Sequence, residues 1–266
     1  MVSRLFNRCC TRSGQEVGLE FPSLYAESFK LNSLTADVSQ IIVMANFLMA
    51  KKLRSLLDKD FIPIEFNSNL VCRSWQELEA STNNCQACEL YKGRTQVVAG
   101  RHSRTKNADL LIVGEAPGQV EDERGLAFVG DSGKLLDIML DAVGLDSYFV
   151  TNVVRCRPPD NRNPTKAECQ SCWGFLQSEI ALVKPKAILC LGKVAAKTVF
   201  GGMGKFEKLM RSRHQFFEYP VWVAYHPAYL LRQPQLSPHS PKWETWQVLC
   251  RVKLYLNGLR LKSSDE

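Results

Sequence analysis

Asp109-Leu110-Leu111-Ile112-Val113, running directly into Gly114-Glu115-Ala116-Pro117-Gly118, is the stretch on which the reading of the fold turns. A continuous apolar run closed by a glycine- and proline-containing turn is the pattern of a strand buried on both faces of a sheet. The pattern recurs at Tyr148 to Val153, Lys186 to Leu191 and Val221 to Tyr225. Helical spacing fills the intervals, from Lys134 to Val143, from Thr165 or Ala167 to Val183, and from Lys193 to Phe200. Asn163-Pro164-Thr165 and Lys184-Pro185 supply start and stop signals for the middle helix. Strands alternating with helices predict an α/β fold with a mainly parallel sheet covered by helices.

Ligands of open α/β sheets bind beyond the carboxyl ends of the strands. Those ends carry the distinctive residues here. Gly114 to Gly118 follows the first strand, Asn152 closes the second, Gly192 follows the third, and His226-Pro227 follows the fourth.

With 266 residues, 45% of them apolar, the chain can form one sizeable domain, with or without an extension. Residues 1–75 read as an N-terminal extension, 76–260 as the domain and 261–266 as a tail. Arg4, Arg8 and Arg12 without an acid allow a transit-like segment, while Met44 and Met49, inside the helical pattern Gln40 to Leu57, are alternative starts. The longest apolar candidate, Ile41 to Ala50, would cross about half a bilayer as a helix. With no secretory pattern, a soluble, cytoplasmic protein without a disulfide framework is expected, organelle targeting left open. The formal charge of +7 permits a polyanionic partner, and its basic residues cluster at Arg155, Arg157, Arg162 and Lys166 and again at Lys205, Lys208, Arg211 and Arg213.

Cys85-Gln86-Ala87-Cys88 places two sulfurs within reach of one metal centre, and Cys156 and Cys172 can be brought in by the fold. Four sulfur ligands suit either zinc or an iron-sulfur cluster. Cys169 competes for the fourth position. Cys190 reads as core, and Cys9, Cys10, Cys72 and Cys250 as spare.

Four motifs stand in order: Gly114-Glu115-Ala116-Pro117-Gly118, Phe128-Val129-Gly130, Thr151-Asn152-Val153-Val154-Arg155-Cys156-Arg157-Pro158-Pro159, and His226-Pro227-Ala228-Tyr229-Leu230-Leu231-Arg232. Through them the chain resembles the family 4, iron-sulfur type, uracil-DNA glycosylases, over roughly Cys85 to Leu254. The resemblance implies a three-layer α/β/α sandwich around a mainly parallel four-stranded sheet, and a 4Fe-4S cluster on Cys85, Cys88, Cys156 and Cys172. It also implies a monomeric enzyme that excises uracil from DNA, with no membrane involved. Ala116 stands where another glycosylase family carries a catalytic aspartate. Leu126-Ala127 and Asp131-Ser132 depart from the residues usual around Phe128-Val129-Gly130, and Pro158 to Pro164 contains no histidine of the kind a covalently trapping branch uses, which argues for turnover.

The residues can be matched to the chemistry. Uracil must be flipped from the duplex into a pocket, where Phe128 would stack on it. One amide, Asn152, can accept from uracil N3–H and donate to O4, whereas cytosine would leave both groups unpaired. Glu121 matches the position beside C5, where thymine must be refused. His226, with backbone amides of Gly114 to Ala116, would donate to the developing charge on O2. Glu115 and Asn161 are candidates for water placement. Arg155, Arg157, Leu231 and Arg232 are candidates for DNA contact. Two rivals are a non-catalytic metal-containing nucleic-acid-binding module and an α/β enzyme using Gly114 to Gly118 as a phosphate loop, although that run lacks the P-loop lysine.

Overall fold

The structure, a computed structural model, describes residues 71–202, 204–211, 213–233 and 237–263, with side chains to residue 259. The chain divides between Pro63 and Ile64, so these residues all belong to the second unit. The helical pattern at Gln40 to Leu57 and the alternative starts lie outside them. In chain order the elements are helix α1 (Trp75–Asn83), strands β1 (Arg101–His102) and β2 (Leu110–Gly114), helices α2 (Gln119–Arg124) and α3 (Asp131–Val143), then β3 (Tyr148–Asn152), α4 (Lys166–Val183) and β4 (Ala187–Leu191). They continue with α5 (Gly192–Val199), α6 (Phe206–Arg211), β5 (His214–Phe216), β6 (Tyr219–Ala224), α7 (Pro227–Leu231) and α8 (Pro241–Ser263).

Every residue of β2 and β4 is buried, as their uninterrupted apolar sequences require. Side chains alternate across a strand, and β2 accordingly feeds two cores. Leu111 and Val113 pack with Leu176 and Ile180 of α4 and Ala195, Ala196 and Val199 of α5. Leu110 and Ile112 pack on the other face with Leu136 and Leu140 of α3 and Val248, Leu249 and Val252 of α8. These are the three layers. Each fully buried leucine or isoleucine contributes roughly 1.5–3 kcal/mol by leaving water.

The sheet has six strands in the order β1-β3-β2-β4-β6-β5. The inner four are parallel, in agreement with the expected strands. The outer two, β1 and β5, are antiparallel additions that correct the four-stranded expectation. Two-residue β1 is too short for any periodic signal, and β5 is half of a tight hairpin whose turn holds Phe217 at φ 51°.

From β2 the chain steps to β3 through α3, then returns past β2 to β4 through α4. Parallel crossovers are right-handed, so reversing the direction of travel puts the covering helix on the opposite face; α3 and α4 indeed lie on opposite faces. The reversal opens a crevice between the carboxyl ends of β2 and β4.

Local sequence sets the helix boundaries. Thr165 caps α4 reciprocally with Glu168, its Oγ1 accepting from the Glu168 amide at 3.2 Å and its own amide donating to Glu168 Oε2 at 2.7 Å. Helix α3 begins at Asp131, ahead of the expected Lys134, because Gly130 serves as its N-cap. Gly144, at φ 74°, ends it in the left-handed conformation that glycine tolerates best. Among the described residues no helix is long and apolar enough to cross a membrane.

Candidate active site

The carboxyl ends of β2, β3, β4 and β6 converge on a cavity of about 620 Å³, lined among others by Glu115, Phe128, Asn152, Asn161, Gly192 and His226. The predicted residues Ala116, Glu121 and Arg232 line it too.

Phe128 is the most constrained. Its ring is buried and its backbone lies at φ 55°, the left-handed region that side chains disfavour. Strain of this kind persists only where neighbours over-determine it, and three do so. Glu121, on α2, accepts the amides of Val129 at 2.9 Å and Gly130 at 2.7 Å through Oε1, clamping the loop after Phe128. A Cβ on Gly133 would sit 1.8 Å from the Phe128 carbonyl oxygen, and one on Gly114 would sit 2.5 Å from its ring. Glu121, expected beside uracil C5, thus spends one oxygen holding the aromatic wall.

Asn152 closes β3 opposite Gly114 in the parallel register. It is 3% exposed, and its Oδ1 has no hydrogen-bond partner. A buried acceptor left unpaired costs roughly 1–3 kcal/mol, so this oxygen on the cavity wall is poised for a donor. The missing side chain of Gly114 creates the room, since a Cβ there would lie 2.4 Å from Asn152 Oδ1.

His226 is the N-cap of α7, and its Nδ1 accepts from the Ala228 amide at 3.2 Å. An accepting Nδ1 carries no proton, so the neutral ring carries it on Nε2. Burial, followed by the charge of Arg232, lowers its pKa to about 4. The ring lies 5.5 Å from that of Phe128. Gly192, at φ 88°, lets the end of β4 pass close to His226, since a Cβ there would sit 3.1 Å from His226 Cβ. Burial raises the pKa of Glu115. Asn161, at φ 54° and exposed, accepts from Arg157 Nε at 2.8 Å.

One assignment is corrected. Arg155, expected at the DNA surface, is 4% exposed. Its guanidinium donates to Thr151 Oγ1 and pairs with Glu179 of α4 at 2.6 Å, so its role is internal. Its neighbour in the basic cluster, Arg162, makes a bidentate pair with Glu168 at 2.7 and 2.9 Å. Arg157 is half-buried, whereas Leu231 and Arg232 are exposed at the end of α7.

Cys85, Cys88, Cys156 and Cys172 line a separate small cavity with Tyr91, Arg94, Arg155 and Phe175. Arg94 Nη1 donates to Cys156 Sγ at 3.3 Å and to the Cys85 carbonyl at 3.0 Å. Burial pushes the Cys172 thiol up to about 12. Cys169, the competitor, lies in the core, with Thr198 as hydrogen-bond partner, and does not line this cavity. Among the described residues, no three His, Cys, Asp or Glu side chains meet at the separations a single ion needs. A donor set of four thiols from three chain segments, with a guanidinium beside one of them, fits an anionic metal-sulfur group.

Sequence reasoning missed several residues of the main cavity. Phe206, Tyr225 and Tyr229 line it, and Gly133 acts through Phe128. Tyr229 stands within a quoted motif and Tyr225 ends an expected strand; Phe206 and Gly133 carried no local signal.

A family model described as the uracil DNA glycosylase superfamily matches residues 102–250. Among curated proteins, the chain is 38% identical to a type-4 uracil-DNA glycosylase of Archaeoglobus fulgidus over 58% of this chain and 81% of that protein. It is 39% identical to one of Pyrobaculum aerophilum, over 63% and 89% respectively. It is 37% identical to one of Thermotoga maritima, over 56% and 78%. A fold whose reversed crossover opens this cavity, a match across most of the sheet, and relatives covered over most of their length lead to one conclusion: the chain belongs to the uracil-DNA glycosylase superfamily, within its type 4 branch.

Proposed function

We propose that this chain is a monofunctional uracil-DNA glycosylase that rotates a deoxyuridine into the cavity, hydrolyses its N-glycosidic bond and leaves an abasic site for base-excision repair. The observation that carries the reading is Asn152, buried with an unpartnered Oδ1 on the wall shared by Phe128 and His226. Uracil N3–H satisfies that oxygen, and O4 accepts from the same amide. Cytosine presents an acceptor and a donor in the opposite order, so it leaves the buried groups unpaired.

Phe128 stacks on the flipped ring. Refusal of thymine falls to the wall around C5 that the Glu121 clamp holds in place. As the C1′–N1 bond breaks, its electron pair leaves with the base and spreads onto O2, and positive charge develops on the sugar. Neutral His226 donates from Nε2 to that oxygen, an interaction stronger in the transition state than in the ground state. Water adds to C1′. Glu115, its basicity raised by burial, orients that water and offsets the sugar charge, with Asn161 at the cavity mouth. Leu231 fills the space the base vacates, and Arg157 and Arg232 meet the phosphates.

Cys85, Cys88, Cys156 and Cys172 would hold a 4Fe-4S cluster, a reading supported by the four thiols lining one small cavity. Through these residues the group would join the segment of Cys85 and Cys88 to Cys156, beyond β3, and to Cys172 of α4.

The test is alkaline cleavage of an oligonucleotide carrying one uracil after incubation with the protein, beside a thymine control. Scission confined to uracil is expected. Tight DNA binding without scission would instead favour a non-catalytic module.

A further inference from the structure

The main cavity has a wall that the excision chemistry leaves unused. Phe206, Tyr225 and Tyr229 line it. Tyr225 and Tyr229 stack at 5.3 Å between centroids with their planes 25° apart. Phe206 braces Tyr225 from the other direction, edge-on at 5.3 Å. Tyr225 is further tied to Glu244 of α8 by a side-chain hydrogen bond. The outermost ring, Tyr229, remains 38% exposed, although the ring behind it is fixed twice. Its amide donates to the His226 carbonyl at 2.9 Å, so its backbone lies one turn of α7 beyond the residue assigned to the leaving base. Lys193 and Arg232, both exposed, line the same cavity.

A braced aromatic face flanked by cations is the arrangement that holds successive bases of a single strand. We propose that Tyr229 is a stacking platform for the nucleobase adjoining the excised uracil on an unpaired strand, with Lys193 and Arg232 receiving the intervening phosphates. This rests on the glycosylase reading of the cavity. In a duplex the neighbouring base stays stacked on its own helix, so the platform serves single-stranded or frayed DNA. Tyr225 and Phe206 act as positioning residues that keep the platform's rear face occupied.

The test is a binding cycle by fluorescence anisotropy, using a single-stranded oligonucleotide with one 2′-fluoro-deoxyuridine, which resists cleavage. The flanking nucleotide on either side is replaced in turn by an abasic spacer. Tyr229→Ala is expected to weaken binding about tenfold, and Tyr229→Phe to keep it. A spacer on one side should weaken the unaltered protein by a similar factor, yet weaken Tyr229→Ala no further. Additive losses with both spacers, or a loss in Tyr229→Phe equal to that in Tyr229→Ala, would overturn the platform. Excision of ordinary deoxyuridine by the unaltered protein is scored separately. Its absence would overturn the glycosylase reading while the binding cycle still decides whether Tyr229 holds a base.

Discussion

At the residue scale, two side chains are set up by their backbones. His226 must remain neutral for its Nδ1 to accept from the Ala228 amide. Its folded pKa of about 4 lies below the ordinary 6.5, so the unfolded chain binds the extra proton first as pH falls. The resulting stability is present above about pH 6.5 and is lost as pH falls through about 4. Urea titrations at pH 7 and pH 4.5 should show a smaller pH-dependent loss in His226→Gln than in the unaltered protein. His226→Ala should lower the single-turnover excision rate about 10²- to 10³-fold, as removal of one donor to a developing oxyanion does, while DNA affinity measured by anisotropy is retained. For Asn152→Asp, the ionised acid loses its donor to O4, and excision of uracil should fall at least tenfold in the same assay. The identities of these residues were legible in the sequence because each sits at the end of a recognisable strand. Arg155 was misplaced, and the clamp that Glu121 makes was not foreseen, because their partners, the carboxylate of Glu179 and the amides after Phe128, are set by tertiary contacts with no local signature.

At the element scale, α3 and α4 each carry one side of a site. Helix α3 presents Gly133 to the Phe128 carbonyl. Gly133→Ala places a methyl group inside that contact, so the loop must move. Activity should drop more than tenfold, and the urea midpoint should shift downward. Helix α4 carries Cys172 and Glu179, and its start is fixed by Thr165 and Glu168. The Arg162 pair, aided by the Thr165 bonds, lowers the Glu168 pKa to about 2. Thr165→Ala should cost about 1 kcal/mol of stability, read by urea denaturation at neutral pH. The four parallel strands and three main helices were legible because continuous apolar runs and capping signals are local. The edge strands β1 and β5 were not, being stabilised by pairing with β3 and β6 rather than by their own pattern. Helix α8 gave no readable stripe even though Val248, Leu249 and Val252 are fully buried in the second core.

At the scale of the whole molecule, two cavities share one span of chain. Asn152 stands in the first and Cys156 in the second, and between them Arg155 reaches from Thr151 to Glu179. Binding of a metal group to a folded site is folding free energy. Removal of the proposed cluster by an oxidant and chelator should therefore lower the melting temperature by calorimetry and lower uracil excision together. Cys172→Ser should do the same with reduced iron content, although it lies in a different cavity from the base. An unchanged melting temperature in iron-free protein would separate the two sites. The span from Asn152 to Cys156 then works as a ruler. One residue gained or lost between 152 and 156 would put either the base reader or the thiol out of place.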